Sequence, residues 1–379
     1  MKEILETVFL LAGIQGILLS IILFTRKENH NANIVLAFAS FTLSCDLFTV
    51  LYYQKEFYLI CSHFSGITYP LPYLYGPLFY IYTKLVSKSE TKFGFKNLLH
   101  FTPVIIIYLI SIPVFLYSGA EKIGFINKMI LNEGPLVFKI IGWIVPFQGI
   151  VYTILTIKTV SDYNKKIKDS FSNIDKINLG WLKYLAIGTV TIWTIVAVVY
   201  LVHIISDYKT DIGYMLHFSI SILIYSVGYF GLKQPEIFMR PQETESTEEK
   251  YEKYKNSGLD ETASEQIKNK LIDVMNNEKP YLDSDLTLNK LAEILSVSNH
   301  HLSEVINTKL NQNYYDFINK YRIDEFINKL KDPANDKYSL ISLAFDSGFK
   351  SKTSFNTIFK KLTNKTPSEY KGQLISLDK

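Results

Sequence analysis

Near the C-terminal end of the chain, two stretches set polar side chains on one side of a helical spacing and apolar ones on the other. In 298–307, Leu302, Val305 and Ile306 share an inward face, and the opposite side carries His300, Ser303, Glu304 and Asn307. In 351–362 the apolar face is Phe355, Ile358, Phe359 and Leu362, and Lys352, Thr353, Asn356, Thr357, Lys360 and Lys361 lie opposite. Hydroxyl, amide and imidazole groups read hydrogen-bond patterns, and ammonium groups hold anions, so the chemistry on offer is recognition. Bond-making has no comparable signal: the chain has no nucleophile elbow, zinc motif, phosphate loop or kinase-like set, and no cofactor is expected. His300 and His301 do not form a metal pair, because adjacent residues on a helix point about 100° apart.

Each of these stretches needs a partner helix to hold it. Thr287 is a candidate N-cap for a helix burying Leu288, Leu291, Ala292 and Leu295; a break follows at Ser296-Val297, and Ser298 caps the next helix. The design repeats downstream: Ser339 caps a helix burying Leu340, Leu343 and Ala344, Gly348 supplies a left-handed turn, and Ser351 caps the second polar-faced helix. This is helix-turn-helix spacing, twice. Between the units, Tyr314 to Leu330 forms a strut of about 17 residues, or roughly 25 Å at the helical rise. Such a strut sets the two outer helices about one DNA turn apart, ~34 Å, so one chain reads two successive grooves without dimerising.

The residues LSEVIN, FINKYRID and AFDSGFKSKTSFNTIFKKLTNKTPSEY resemble the AraC/XylS-type DNA-binding domain of bacterial transcription regulators. The resemblance includes the turn at Gly348-Phe349 and the closing Thr366-Pro367 with Tyr370, and it spans 263–374. Thr366 to Glu369 also reads as a capping box with proline at the first helical position. Ser296 and Asn364 stand where that family often has glycine. The resemblance implies base-edge contacts near His300, Ser303 and Glu304, and near Lys352, Thr353 and Thr357. Charge is uneven: Lys350, Lys352, Lys360, Lys361, Lys365 and Lys371 face only Glu369 between 350 and 372. Around the first unit, Lys290 and Lys309 are balanced by Glu293 and Glu304. The phosphate grip is therefore expected mainly in the second unit.

Upstream the composition changes. The 379 residues are 48% hydrophobic and 14% aromatic with a positive mean hydropathy, too apolar for a soluble chain ending in a polar DNA-binding domain. The excess sits in seven blocks: 4–24, 33–53, 66–86, 98–118, 138–157, 184–205 and 212–232. Each is close to the ~20 apolar residues that cross a bilayer. Lysine and arginine follow the first, third and fifth blocks (Arg26, Lys27; Lys84, Lys88, Lys92, Lys96; Lys158, Lys165, Lys166, Lys168, Lys176) and are sparse on the alternate side. The positive-inside rule then puts the N-terminus outside and the C-terminal domain in the cytoplasm. Met1-Lys2-Glu3 is not a basic leader region and no A-x-A site follows promptly, so the first block is expected to be retained. Prolines 70, 72 and 77 predict a kinked third span, and Cys45 and Cys61 make no disulfide or metal framework. Asp46, deep in the second block, is the sharpest candidate for a membrane sensing site; Gln15, Gln148, His203 and His217 are weaker, and interhelical hydrogen bonding is the alternative reading for all of them.

After Leu232 an acidic connector with Glu243, Glu245, Glu248, Glu249 and Glu252 leads to the cytosolic helices, opening at Ile267. The expected organisation is all-α: a seven-helix transmembrane bundle over 1–233, an acidic linker over 234–262 and a DNA-binding domain over 263–374. The expected function is a membrane-bound one-component transcription regulator at the bacterial inner membrane. Its expected partners are double-stranded DNA and the lipid bilayer, with a homodimer, RNA polymerase and a small-molecule or membrane signal left open. A regulator released by proteolysis in the linker, or a membrane transporter or enzyme with a cytosolic helical module, are the alternatives.

Overall fold

The computed structural model describes residues 2–27, 29–87, 94–131, 133–175, 177–205, 213–233 and 259–377. Among these, the regular elements are helices, and the only extended pairing is an isolated antiparallel bridge between Phe171 and Thr287. The acidic connector lies outside the described residues, apart from its last few positions. By packing, the chain forms two units: Met1–Asp162 with Leu179–Phe238, and Tyr163–Asn178 with Met239–Lys379.

The first unit contains α1 (Lys2–Thr25), α2 (His30–Gln54), α3 (Pro72–Ser87), α4 (Thr102–Phe115), α5 (Gly119–Ile130), α6 (Leu136–Ile167), α7 (Gly180–Ile205) and α8 (Gly213–Lys233). Every apolar block in the sequence coincides with one of these helices. Five of them, α1, α2, α6, α7 and α8, are long and apolar enough to cross a membrane. The third and fourth blocks are helical over shorter lengths. The third block opens with turns at Gly66–Leu71, because Pro70 and Pro72 have no N–H to donate into a longer helix, and the fourth has a 3-10 turn at Leu99–Phe101. Two features depart from the sequence reading. The amphipathic helix α5 follows a capping box in which Glu121 N donates to Ser118 Oγ and Ser118 N donates to Glu121 Oε2 at 2.8 Å. Helix α6 continues past the apolar block through Lys158, Lys165 and Lys166.

Small residues draw these helices together. A Cβ on Gly16 would lie 2.1 Å from Ser44 Oγ, so α1 and α2 touch where Gly16 stands. A Cβ on Gly149 would lie 2.5 Å from the Trp193 ring, which brings α6 against α7. Helix α6 is held to α3 by Tyr73 Oη donating to Ile141 O at 2.7 Å and Gln148 Nε2 donating to Tyr73 O at 3.2 Å.

The second unit contains α9 (Glu261–Asn277), α10 (Leu288–Leu295), α11 (Asn299–Thr308), α12 (Tyr314–Lys331), α13 (Leu340–Phe345), α14 (Lys352–Thr363) and α15 (Pro367–Leu377). Helix α9 starts six residues before the expected opening at Ile267, because the Asp260 carboxylate caps it by accepting from Ala263 N at 2.7 Å. Two cores sit along the strut α12. The first is largely aliphatic and gathers Leu271, Leu291, Leu295, Leu302 and Ile306 with Phe317. The second is aromatic, with Phe326, Phe349, Phe355 and Phe359 stacked edge to face or tilted at 4.7–5.6 Å.

Candidate nucleic-acid interface

The four expected caps are all made: Thr287, Ser298, Ser339 and Ser351 side chains accept from Lys290 N, His301 N, Ser342 N and Ser354 N at 3.1–3.3 Å. Each satisfies a donor that the first turn of a helix leaves without a partner. The turns differ. Ser296 takes the left-handed conformation at φ 55° between α10 and α11, and Gly348 does so at φ 92° between α13 and α14. Asn364 ends α14 in the same conformation at φ 58°. The capping box of α15 is closed by Thr366 N donating to Glu369 Oε2 at 2.8 Å and Glu369 N donating to Thr366 Oγ1 at 3.3 Å. The Thr366 backbone N–H and then the Thr366 side chain, both hydrogen-bonding to the Glu369 carboxylate, hold that carboxyl below the usual carboxylate range.

The ten side chains singled out for DNA contact fall into two classes. On α14, Lys352, Thr353, Thr357, Lys360 and Lys361 are exposed and Asn356 is half-buried. On α11, Ser303 and Glu304 are buried, and His300 and Asn307 are half-buried. Asn307 Nδ2 turns back along its own helix to Ser303 O at 2.8 Å and Ser303 Oγ at 3.2 Å. Two lysines of the second helix-turn-helix are already paired with carboxylates: Lys361 with Asp316 at 2.7 Å, and Lys350 with Asp285 at 2.6 Å. Lys360 stays exposed beside them on α14.

A third group was not foreseen from the residues. Arg322, on the strut, is 1% exposed, and burial pushes its guanidinium down to about 10. Its Nε donates to Tyr281 O at 2.8 Å, its Nη2 to Asp283 O at 2.8 Å and Ser172 Oγ at 3.1 Å, and its Nη1 to Ser172 O at 3.3 Å. Asn319 Nδ2, one turn earlier, donates to the same Ser172 carbonyl at 3.1 Å. A buried arginine needs this many acceptors to offset its lost hydration. Ser172 is 114 or more residues away in sequence from its partners, so no local spacing points to it.

In the first unit, the polar residues marked in the sequence separate. Asp46 and His217 come together, with Oδ2 and Nε2 3.6 Å apart, and both line a cavity of about 690 Å³ with Thr49, Tyr53, Tyr75 and Lys122 among its other walls. Gln148 is committed to the Tyr73 carbonyl, and the His203 side chain lies outside the described residues. Among the described residues no group of three histidine, cysteine or acidic side chains could hold a metal ion.

Residues 291–373 match the family model described as a helix-turn-helix domain, of the AraC type. The chain is also similar to uncharacterized HTH-type transcriptional regulators of Staphylococcus aureus. Those of strains COL, MSSA476 and MRSA252 are each 33% identical over 92 residues, which is 24% of this chain and 12% of the relative. The chain thus matches about 12% of the length of these curated relatives. No solved structure matches it.

Proposed function

We propose, starting from the AraC-type helix-turn-helix domain at residues 291–373, that this chain is a membrane-held one-component transcription regulator and not an enzyme. It binds double-stranded DNA sequence-specifically through α11 and α14, under the control of the apolar helices of 1–233. One observation carries the reading. A single chain combines two capped helix-turn-helix units on either side of a strut with helices long and apolar enough to span a bilayer. The lysine-rich connections support a multi-pass protein of the bacterial inner membrane, with its N-terminus outside and its DNA-binding domain in the cytoplasm. Within 350–371, six lysines supply the backbone grip, and Thr353, Asn356 and Thr357 supply the base contacts on α14.

The signal is read in the cavity that Asp46 and His217 share. A carboxylate and an imidazole facing an otherwise largely apolar space are costly inside a bilayer, and such residues by default mark function. A second copy of the chain raises local concentration on the DNA, and RNA polymerase is the partner that reads out the bound state.

Selection of randomised duplexes by the full chain in lipid nanodiscs tests the DNA reading. A recovered motif with two halves about one turn apart is expected, and recovery of no motif overturns it. A cytoplasm-dependent reporter is expected to work when fused after Lys233 and to be silent within 121–128; activity at the latter overturns the orientation. Asp46→Asn is expected to change signal-dependent transcription with membrane insertion intact, and an unchanged response returns Asp46 to helix packing.

A further inference from the structure

The last turn of α6 and the connection that follows it toward α7, residues 163–178, fold as part of the DNA-binding unit. Beside an anchor on the middle of the strut, their contacts there fall on the N-terminal ends of helices. The Leu288 N–H, first in α10, donates to Ser170 O at 3.0 Å, and the Tyr315 N–H, second in α12, donates to Lys168 O at 2.8 Å. Phe171 pairs with the α10 cap, Thr287, in the antiparallel bridge. Ser351, the cap of α14, donates its hydroxyl to the Asp175 carboxylate while accepting from Ser354 N. The strap between these ends is anchored by Ser172. Its hydroxyl donates to Leu286 O at 2.6 Å, and its carbonyl and hydroxyl take the Asn319 and Arg322 donors. Ser172 is 2% exposed, so this anchor is buried structure and not a surface touch.

Two of the ends that the strap occupies, those of α10 and α14, are ends a duplex needs. In a helix-turn-helix the first helix crosses the sugar-phosphate backbone and the second enters the groove N-terminal end first. Exposed N–H groups and the dipole at a helix N-terminus attract phosphate. In this chain the first-turn donor of α10 is already given to a strap carbonyl, and the 12-residue α14 has a carboxylate hydrogen-bonded at its cap. The second unit repeats the theme, with Asp285 on Lys350 and Asp316 on Lys361. These are acidic groups of the protein standing on lysines that the sequence marks for phosphate.

We propose that 168–175 is an autoinhibitory strap, which closes the DNA-binding unit by seating its own carbonyls and the Asp175 carboxylate at the helix ends where DNA phosphates dock. The strap is covalently continuous with the apolar helices α6 and α7, so a change in the setting of those helices withdraws it. This inference rests on the DNA-binding reading and deepens it, since it names the element through which the membrane unit acts. Loss of the strap opens both the α10 end and the α14 end together, because one buried anchor holds both.

The experiment uses the full chain in lipid nanodiscs with a duplex selected by the wild-type protein, or a random duplex if none is selected. Asp175 is exposed and its replacement leaves the Ser172 anchor in place, so Asp175→Ala is expected to fold. It should bind DNA roughly tenfold more tightly, the scale of one hydrogen bond to a charged group. Asp346→Ala, which removes an exposed acidic residue of the same unit outside the strap, controls for the general loss of negative charge and should change affinity far less. A second variant closes the strap permanently: Asp175→Cys with Ser351→Cys, in a chain with Cys45→Ser and Cys61→Ser. Oxidation should weaken DNA binding and reduction of the same sample should restore it. Equal effects of Asp175→Ala and Asp346→Ala, weaker binding by Asp175→Ala, or unchanged binding on oxidation overturns the strap. Absence of DNA binding in every sample, wild type included, overturns the DNA-binding reading instead.

Discussion

The two helix-turn-helix units of this chain follow one plan and differ in what they leave open. Both have a capped first helix, a left-handed turn and a serine-capped second helix. The first unit surrounds α11 with an aliphatic core shared with α9, and two of its four reading candidates, Ser303 and Glu304, are buried. The second rests α14 on an aromatic stack by Phe355, Ile358 and Phe359 and leaves Lys352, Thr353, Thr357, Lys360 and Lys361 exposed. A duplicated motif therefore divides its labour. The second unit carries the charge and the open face, and the first is the more enclosed, with its opening helix held by the strap.

The turns are where the comparison breaks most sharply. A Cβ at Gly348 would lie 2.2 Å from Tyr281 O and 3.0 Å from Arg322 Nε, in a residue held at φ 92°. Gly348→Ala must therefore displace both backbone and the buried arginine network. It is expected to destabilise the DNA-binding unit by about 3 kcal/mol or more, measured by thermal or denaturant unfolding. A loss of no more than about 1–2 kcal/mol, the cost of a strained φ alone, would mean that the two units tolerate their turns equally.

Base preference separates the units next. Thr357→Ala changes an exposed side chain one turn from Thr353 and is expected to relax discrimination at one base pair by about 1–3 kcal/mol. His300→Ala is expected to act on the other half of the site, and Ser303→Ala, at a buried position, to leave base preference unchanged. Binding to a library of single-base variants reads all three. Equal shifts for Ser303→Ala and Thr357→Ala would cancel the proposed division between a closed and an open face.

Lysines sharpen it further. Lys360 is exposed, whereas Lys361 is paired with Asp316 at 2.7 Å, so a phosphate must displace a carboxylate to reach it. Lys360→Ala is expected to reduce the slope of log affinity against log salt by about 0.9, one phosphate contact on duplex DNA. Lys361→Ala should reduce it by less. Titrations at several salt concentrations decide, and the reverse order would show that the Asp316 pairing yields to DNA at no cost.

Much of this was legible in the residues because the signals are local. Four caps, the left-handed glycine, the strut and the capping box at Thr366–Glu369 are each set within a few positions, and each appears where the spacing puts it. The apolar blocks were equally plain as helices, since seven runs of that length leave the chain few other choices. What the spacing could not show is closure at a distance. Helical periodicity assigns Ser303 and Glu304 to the side opposite Leu302 and Ile306, but whether that side is open depends on what packs there in three dimensions. The Asp46 and His217 pair joins residues of α2 and α8, and the Ser172 and Arg322 contact joins residues 150 positions apart. A polar, lysine-rich connection between two apolar helices reads as a solvated loop. Only its contacts make it part of the other unit.

The smallest expected effect concerns Ser296, the counterpart of Gly348 in the first unit. A serine at φ 55° carries a strain of about 1–2 kcal/mol that glycine would not. Ser296 is exposed, so glycine there removes no packing. It does loosen the unfolded chain, which costs about 0.4–1 kcal/mol. The difference leaves Ser296→Gly stabilising by roughly 0.5 kcal/mol, opposite in sign to Gly348→Ala and several times smaller. Chemical denaturation with unchanged slope and a slightly higher midpoint is the expected result. A destabilised Ser296→Gly would mean that the serine hydroxyl contributes to the turn, and that the two turns are alike in their backbone but not in what holds them.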